Sequence, residues 1–163
     1  MLYENKRIIG SSGEMFVSGT LQIGELFQIQ LIGGVAEAFD LYGEVNDRQH
    51  PYPFLVQVKT TAQDERYNAN SIKTPVPDEK LKWLADRPIP TFVAGYDLIE
   101  HRLFLAPAYN IRTTFPSIPL LHEVNLLNPT SAVGTLNQLK RDIINFWQRL
   151  NISNYKEYYI SQL

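Results

Sequence analysis

The nine residues PFLVQVKTT, 53–61, constrain the chain more than any other stretch. The run is apolar, rich in β-branched and aromatic residues, and bounded by proline and a polar tract, so it reads as a buried strand. EAFDLYGEV, just upstream, reads the same way. The polar, proline-bearing NDRQHPYP between them predicts an antiparallel hairpin. Such a hairpin needs apolar partners to cover its faces, and the flanking sequence offers them. In SSGEMFVSGTLQIGELF, small and apolar residues at 13, 16, 17, 20, 21 and 24 follow helical spacing. Ser11 or Ser12 is placed to cap that helix, with Glu14 in its first turn. FQIQLIG (27–33) alternates as a strand and is stopped by Gly33-Gly34. Residues 62–75 read as a polar loop, and DEKLKWLADR as a short helix with Leu81, Leu84 and Ala85 inward. TFVAGYD and RLFLAPAY form a second strand pair joined near LIEH. At about 128–152, PTSAVGTLNQLKRDIINFWQRL is a long amphipathic helix with Leu136, Leu139, Ile143, Phe146 and Leu150 on its apolar side. The order helix, three strands, helix, two strands, helix predicts a mixed α/β (α+β) domain. Its central, mostly antiparallel sheet is flanked by helices.

At 163 residues, with no internal repeat or linker, the whole of 1–163 is expected to be one domain. A hydrophobic content of 44% against 20% charged residues excludes a disordered chain. No apolar run approaches the roughly 20 residues of a membrane-spanning helix, and MLYENKRIIGSSGE lacks the apolar core of a secretory signal. The absence of cysteine removes disulfides, thiolate metal sites and cysteine nucleophiles, and fits a cytoplasmic location. A net charge of −2 gives no general attraction to nucleic acid, so any such partner needs a local basic patch. Lys6, Arg7, Arg66, Lys73, Lys80 and Lys82 are available for one, although scattered surface charge is the ordinary reading of each.

Three polar residues stand out within the apolar hairpin. In a strand Gln57 and Lys59 face the same way, and Asp40 on the neighbouring strand can face them. Glu14, at the edge of its helix's apolar stripe, can be held near the sheet. A carboxylate and an amide oxygen are hard ligands of the kind Mg²⁺ takes. A lysine beside them can orient an attacking water and steady charge on an attacked phosphate. Each residue alone has a plainer reading: a turn cap, a helix N-terminal acid, a chance Gln-x-Lys triplet. Their order and context carry the functional one. His50, His101 and His122 lack a second ligand at metal spacing. Trp83 and Trp147 sit in helices as packing residues, and GSSGE and SAVGT lack the lysine and spacing of a phosphate loop.

Asp40, then Gln57-Val58-Lys59 after sixteen residues, with a helical Glu14 upstream, resembles the PD-(D/E)XK nuclease superfamily. It is similar in particular to the Mrr-like branch, where glutamine replaces the acid before x-Lys. The layout GSSGEMFVSGTL, FDLYGEV, FLVQVKTT, KWLADRPIPTFVAGYD, RLFLAPAY also looks like a bacterial domain family of unknown function assigned to that superfamily. The likeness spans about residues 10–110 and omits the C-terminal helix. It implies a restriction-endonuclease-like core and Mg²⁺- or Mn²⁺-dependent hydrolysis of DNA phosphodiesters, in bacterial defence or repair. It implies Asp40, Gln57 and the Val58 carbonyl as metal ligands, Lys59 as the catalytic lysine, and Glu14 as the helical acid. Phe39 stands where the motif has proline, and Gln57 is a weaker ligand than the usual carboxylate. An inactive nuclease-fold domain that binds nucleic acid or a protein partner is therefore the alternative. A domain this small is also expected to need a homodimer or a partner protein to grip a duplex.

Overall fold

A computed structural model describes residues 2–32, 38–109 and 115–150. Helix α1 (Leu2–Leu21) leads through a 3-10 turn (Ile23–Glu25) into β1 (Phe27–Leu31), β2 (Leu41–Val45) and β3 (Pro53–Thr61). Then follow β4 (Ser71–Val76), α2 (Asp78–Asp86), β5 (Thr91–Asp97), β6 (Arg102–Pro107), β7 (Phe115–Pro119), β8 (Glu123–Val124) and α3 (Pro129–Arg149). Six strands form one sheet in the order β1-β2-β3-β5-β6-β8, and β4 pairs with β7 in a second. Within the large sheet every pair is antiparallel except β3 with β5. That parallel step crosses through β4 and α2, as a parallel pair requires a long connection. The mixed α/β architecture matches the sequence reading, and so does the hairpin, with Leu41 opposite Val56.

Strand alternation sorts the core onto two faces. On one face α1 stacks Phe16 on Tyr96, ring centroids 4.2 Å apart, and lays Gly13 against Thr60 of β3. On the other, Thr74, Ile72 and Ile118 of the small sheet close over Gly95. α2 packs beside them, with the Thr91 hydroxyl donating to the Leu84 carbonyl at 3.0 Å. α3 buries Ala132, Leu136, Leu139, Ile143 and Trp147, and the Trp147 indole N–H donates to the Pro53 carbonyl at 2.9 Å.

Several expectations need correction. α1 begins at Leu2, so Ser11 and Ser12 are exposed mid-helix residues, not caps, and Glu14 lies well inside the helix. The helix stops at Leu21 because Gly24, at φ +75°, turns the chain. The expected loop 62–75 contains most of β4, in which Ile72, Thr74 and Val76 face inward; an inward threonine and Pro75 masked the alternation. β7 and β8 went unread for the same reason: both are short and interrupted by proline or polar residues. On α3, Trp147 takes the inward place and Leu150 is exposed. The Gly33-Gly34 stop lies outside the described residues.

The contact between α1 and β3 depends on a missing side chain. A Cβ at Gly13 would overlap the Thr60 hydroxyl and crowd its Cβ. Gly13→Ala gains about 1 kcal/mol of helix propensity but forces overpacking that costs about 1–3 kcal/mol. A lower melting temperature than wild type is the expected result of a thermal melt.

Candidate active site

The site is built where β2 and β3 part. Asp40 immediately precedes β2; its N–H donates to the Val56 carbonyl (2.9 Å) and its carbonyl accepts from the Ile32 N–H (2.9 Å). Beyond Val56 no β2 residue is left to pair with β3. The Asp40 side chain fills that gap, as Oδ2 accepts from the Val58 N–H at 2.7 Å and from Gln57 Nε2 at 2.5 Å. Gln57 Nε2 also donates to the Val58 carbonyl at 3.2 Å. Gln57 is buried, 3% exposed, and its Oε1 has no hydrogen-bond partner. A buried acceptor left without a donor is rare enough to need a reason.

Lys59 follows two residues along the same strand, half-buried, and faces the same way as Gln57. Burial above all, and then the nearby Lys80, holds its ammonium below the usual lysine range, with Asp40 opposing. Burial raises the Asp40 carboxyl above its ordinary value, while the Val58 amide, Lys59 and Lys80 pull it down. Burial, then the charge of Asp40, raises the Glu14 carboxyl. The structure thus brings Asp40, Gln57, Val58 and Lys59 together at the fork, with Glu14, on the helix that covers the Thr60 face, within electrostatic reach of Asp40.

Lys80, one of the cations the sequence offers for a basic patch, lies close enough to Lys59 for its charge to be felt there; that position arises from the packing of α2, which spacing along the chain cannot show. Arg66 is no surface residue either. Its Nε sits 2.7 Å from buried Asp97, which also accepts from the Tyr67 hydroxyl at 2.7 Å. Burial alone would raise the Asp97 carboxyl, but these bonds and two backbone N–H groups hold it below the usual range. Trp147 packs as expected, and Trp83 stacks on Phe39. His101 meets the Tyr96 hydroxyl and His122 the Leu105 carbonyl. Among the described residues no three His, Cys, Asp or Glu side chains gather in the manner of an all-side-chain metal centre.

The Glu14 shift has a testable sign. Its ionised form is disfavoured in the fold, so Glu14 costs stability at neutral pH. That cost vanishes as the pH falls below the unfolded value near 4.5. Glu14→Gln is therefore expected to melt higher than wild type at pH 7.5 and equally at pH 4. An advantage of the same size at both pH values contradicts the assignment.

No protein-family model and no curated protein matches the chain. Among solved structures it is similar to D212, a nuclease from a fusselovirus, at 14% identity and a TM-score of 0.41. The alignment covers 82% of this chain and 96% of that one. No helix among the described residues is long and apolar enough to cross a membrane.

Proposed function

We propose that the chain is a divalent-cation-dependent nuclease with a restriction-endonuclease-like core, acting on DNA at the fork between β2 and β3. One observation carries the reading: Asp40 Oδ2 and the Val58 carbonyl both lie within hydrogen-bond reach of the Gln57 amide, whose buried Oε1 has no partner. These hard oxygen donors fit Mg²⁺ or Mn²⁺, which take few protein ligands and keep several waters. The Gln57 Nε2 hydrogens now satisfy both neighbouring oxygens, and rotation of the amide would present Oε1 in their place. When bound, the cation would supply Lewis acidity toward phosphate oxygens. Asp40, Gln57 and the Val58 carbonyl would hold it, and Glu14 would add a second carboxylate from α1.

The protein's own groups supply the rest. Lys59, with its ammonium made more acidic by burial, can orient an attacking water, take part in its deprotonation, and steady charge developing on the phosphate. The β3 backbone fixes Lys59 two residues from Gln57, so ligand and lysine move as one rigid unit. A second reading has its own support, because the amide as it stands is a donor satisfied by Asp40. On that reading the fork is structural, and the domain binds nucleic acid or a protein without cleaving.

Supercoiled plasmid and single-stranded DNA, incubated with Mg²⁺, with Mn²⁺ and with a chelator, separate the two. Cleavage that needs the metal and disappears in Asp40→Asn supports the nuclease. Intact DNA under every condition, from a folded protein, favours the binding domain.

A further inference from the structure

The half-buried cations among the described residues fall into two groups. Arg66 and Arg102 are neutralised: Arg66 by Asp97 at 2.7 Å, and Arg102 by Glu123 through two bonds of 2.9 Å. Lys140 on α3 and the group Lys59, Lys80 and Arg87 form no ion pair among the described residues, although each is partly buried. Holding unpaired cations against the protein surface is costly unless an anion completes the site.

The placement of that group of three is ordered. Lys80, Trp83 and the C-cap residue Arg87 are three and four apart, so they run along one side of α2. Asp78, Lys82 and Asp86 are exposed elsewhere on the helix, while exposed Glu79, four residues before Trp83, borders the same side. The Trp83 ring stacks on Phe39, centroids 5.7 Å apart, which fixes that side of α2 beside Asp40. The Arg87 guanidinium lies 4.2 Å over the Trp83 ring, and its Nε donates to the Trp83 carbonyl. Trp83 is thus engaged by both Phe39 and Arg87. It serves as the spacer that holds Arg87 in place. Lys80, one turn earlier, lies close enough for its charge to act on both Asp40 and Lys59.

The geometry points to a phosphate-binding track, Lys59–Lys80–Arg87, that guides one nucleic-acid strand across the fork. The track rests on the nuclease reading for the chemistry at Lys59; the backbone contacts of Lys80 and Arg87 are its own claim. Along α2 the two are separated by about 10 Å of helix rise. At about 3.4 Å per nucleotide along a strand, that spans roughly three nucleotides. Arg87 therefore meets a phosphate about three nucleotides along the strand from the one at Lys80.

The test is fluorescence anisotropy with a labelled oligonucleotide, single-stranded and as its duplex, in chelator so that binding is read apart from cleavage. Wild type, Lys80→Ala, Arg87→Ala and the exposed control Lys82→Ala are compared over a salt series, with thermal melts to confirm folding. Lys80→Ala and Arg87→Ala are each expected to weaken binding several-fold. Each should also make the slope of log K against log salt shallower by about 0.7–0.9. Lys82→Ala should match wild type. If both track variants bind like wild type with an unchanged slope, the track is overturned while the nuclease reading stands. A wild type that binds neither form overturns the track and that reading together.

Discussion

Lys59→Ala is expected to lower the rate of DNA cleavage by about 10²–10⁴-fold, the range for loss of a positioned proton-transfer or charge-stabilising group. The fold should survive, because Lys59 forms no ion pair among the described residues and its neighbours on β3 keep their ladder to β5. Lys59→Arg is expected to restore little. A guanidinium keeps its proton at any working pH, and its planar fork does not reproduce a compact ammonium in a half-buried place. Single-turnover rates at saturating Mg²⁺ measure the effect, with a melt on the same samples. A change below tenfold, with the fold intact, removes Lys59 from the chemistry.

Asp40→Ala has the second large effect, and it acts on the fold as well as the site. From the sequence alone, removing one of two crowded acids promises a more stable protein. The structure reverses that sign. Asp40 Oδ2 is the acceptor for both the Val58 N–H and Gln57 Nε2, and alanine leaves both donors without it. Each buried unsatisfied group costs about 1–3 kcal/mol, more than relief of repulsion from a partly exposed Glu14 returns across a solvated gap. For a chain of this size each kcal/mol lowers the melting temperature by about 2–4 °C. Thermal melts of the metal-free protein should place Asp40→Ala several degrees below wild type, with Asp40→Asn closer because its side-chain oxygen still accepts from Val58. A melting point above wild type for Asp40→Ala contradicts this account of the fork.

The hairpin and its polar residues were legible because they lie close in sequence and obey a period of two. Asp40 to Lys59 is a local problem, solved by one turn and one register. Glu14 could be placed near the sheet from its position on the apolar edge of a helical stripe, although the start of that helix was misjudged by nine or more residues for want of a capping signal. Lys80, Trp83 and Arg87 were not legible as a group in relation to the site. Their side of α2 meets Asp40 only through the Phe39–Trp83 stack, and that contact joins segments more than forty residues apart. The buried Arg66–Asp97 pair was hidden for the same reason, since nothing in a polar loop announces that one of its cations turns inward. β4 and β7 escaped because they pair with each other across a long separation and place threonine, serine and proline where a strand normally advertises apolar residues.

The proposed nuclease stands on a divalent cation held by Asp40, Gln57 and the Val58 carbonyl. Calorimetric titration of Mn²⁺ into wild type, Asp40→Asn and Gln57→Glu tests it most directly. The account predicts saturable binding by wild type, its loss in Asp40→Asn, and tighter binding in Gln57→Glu, where a second carboxylate joins the fork. Equally negligible binding by all three folded proteins would contradict it, leaving Asp40 as the acceptor that closes the gap in the ladder and Lys59 as its counter-charge.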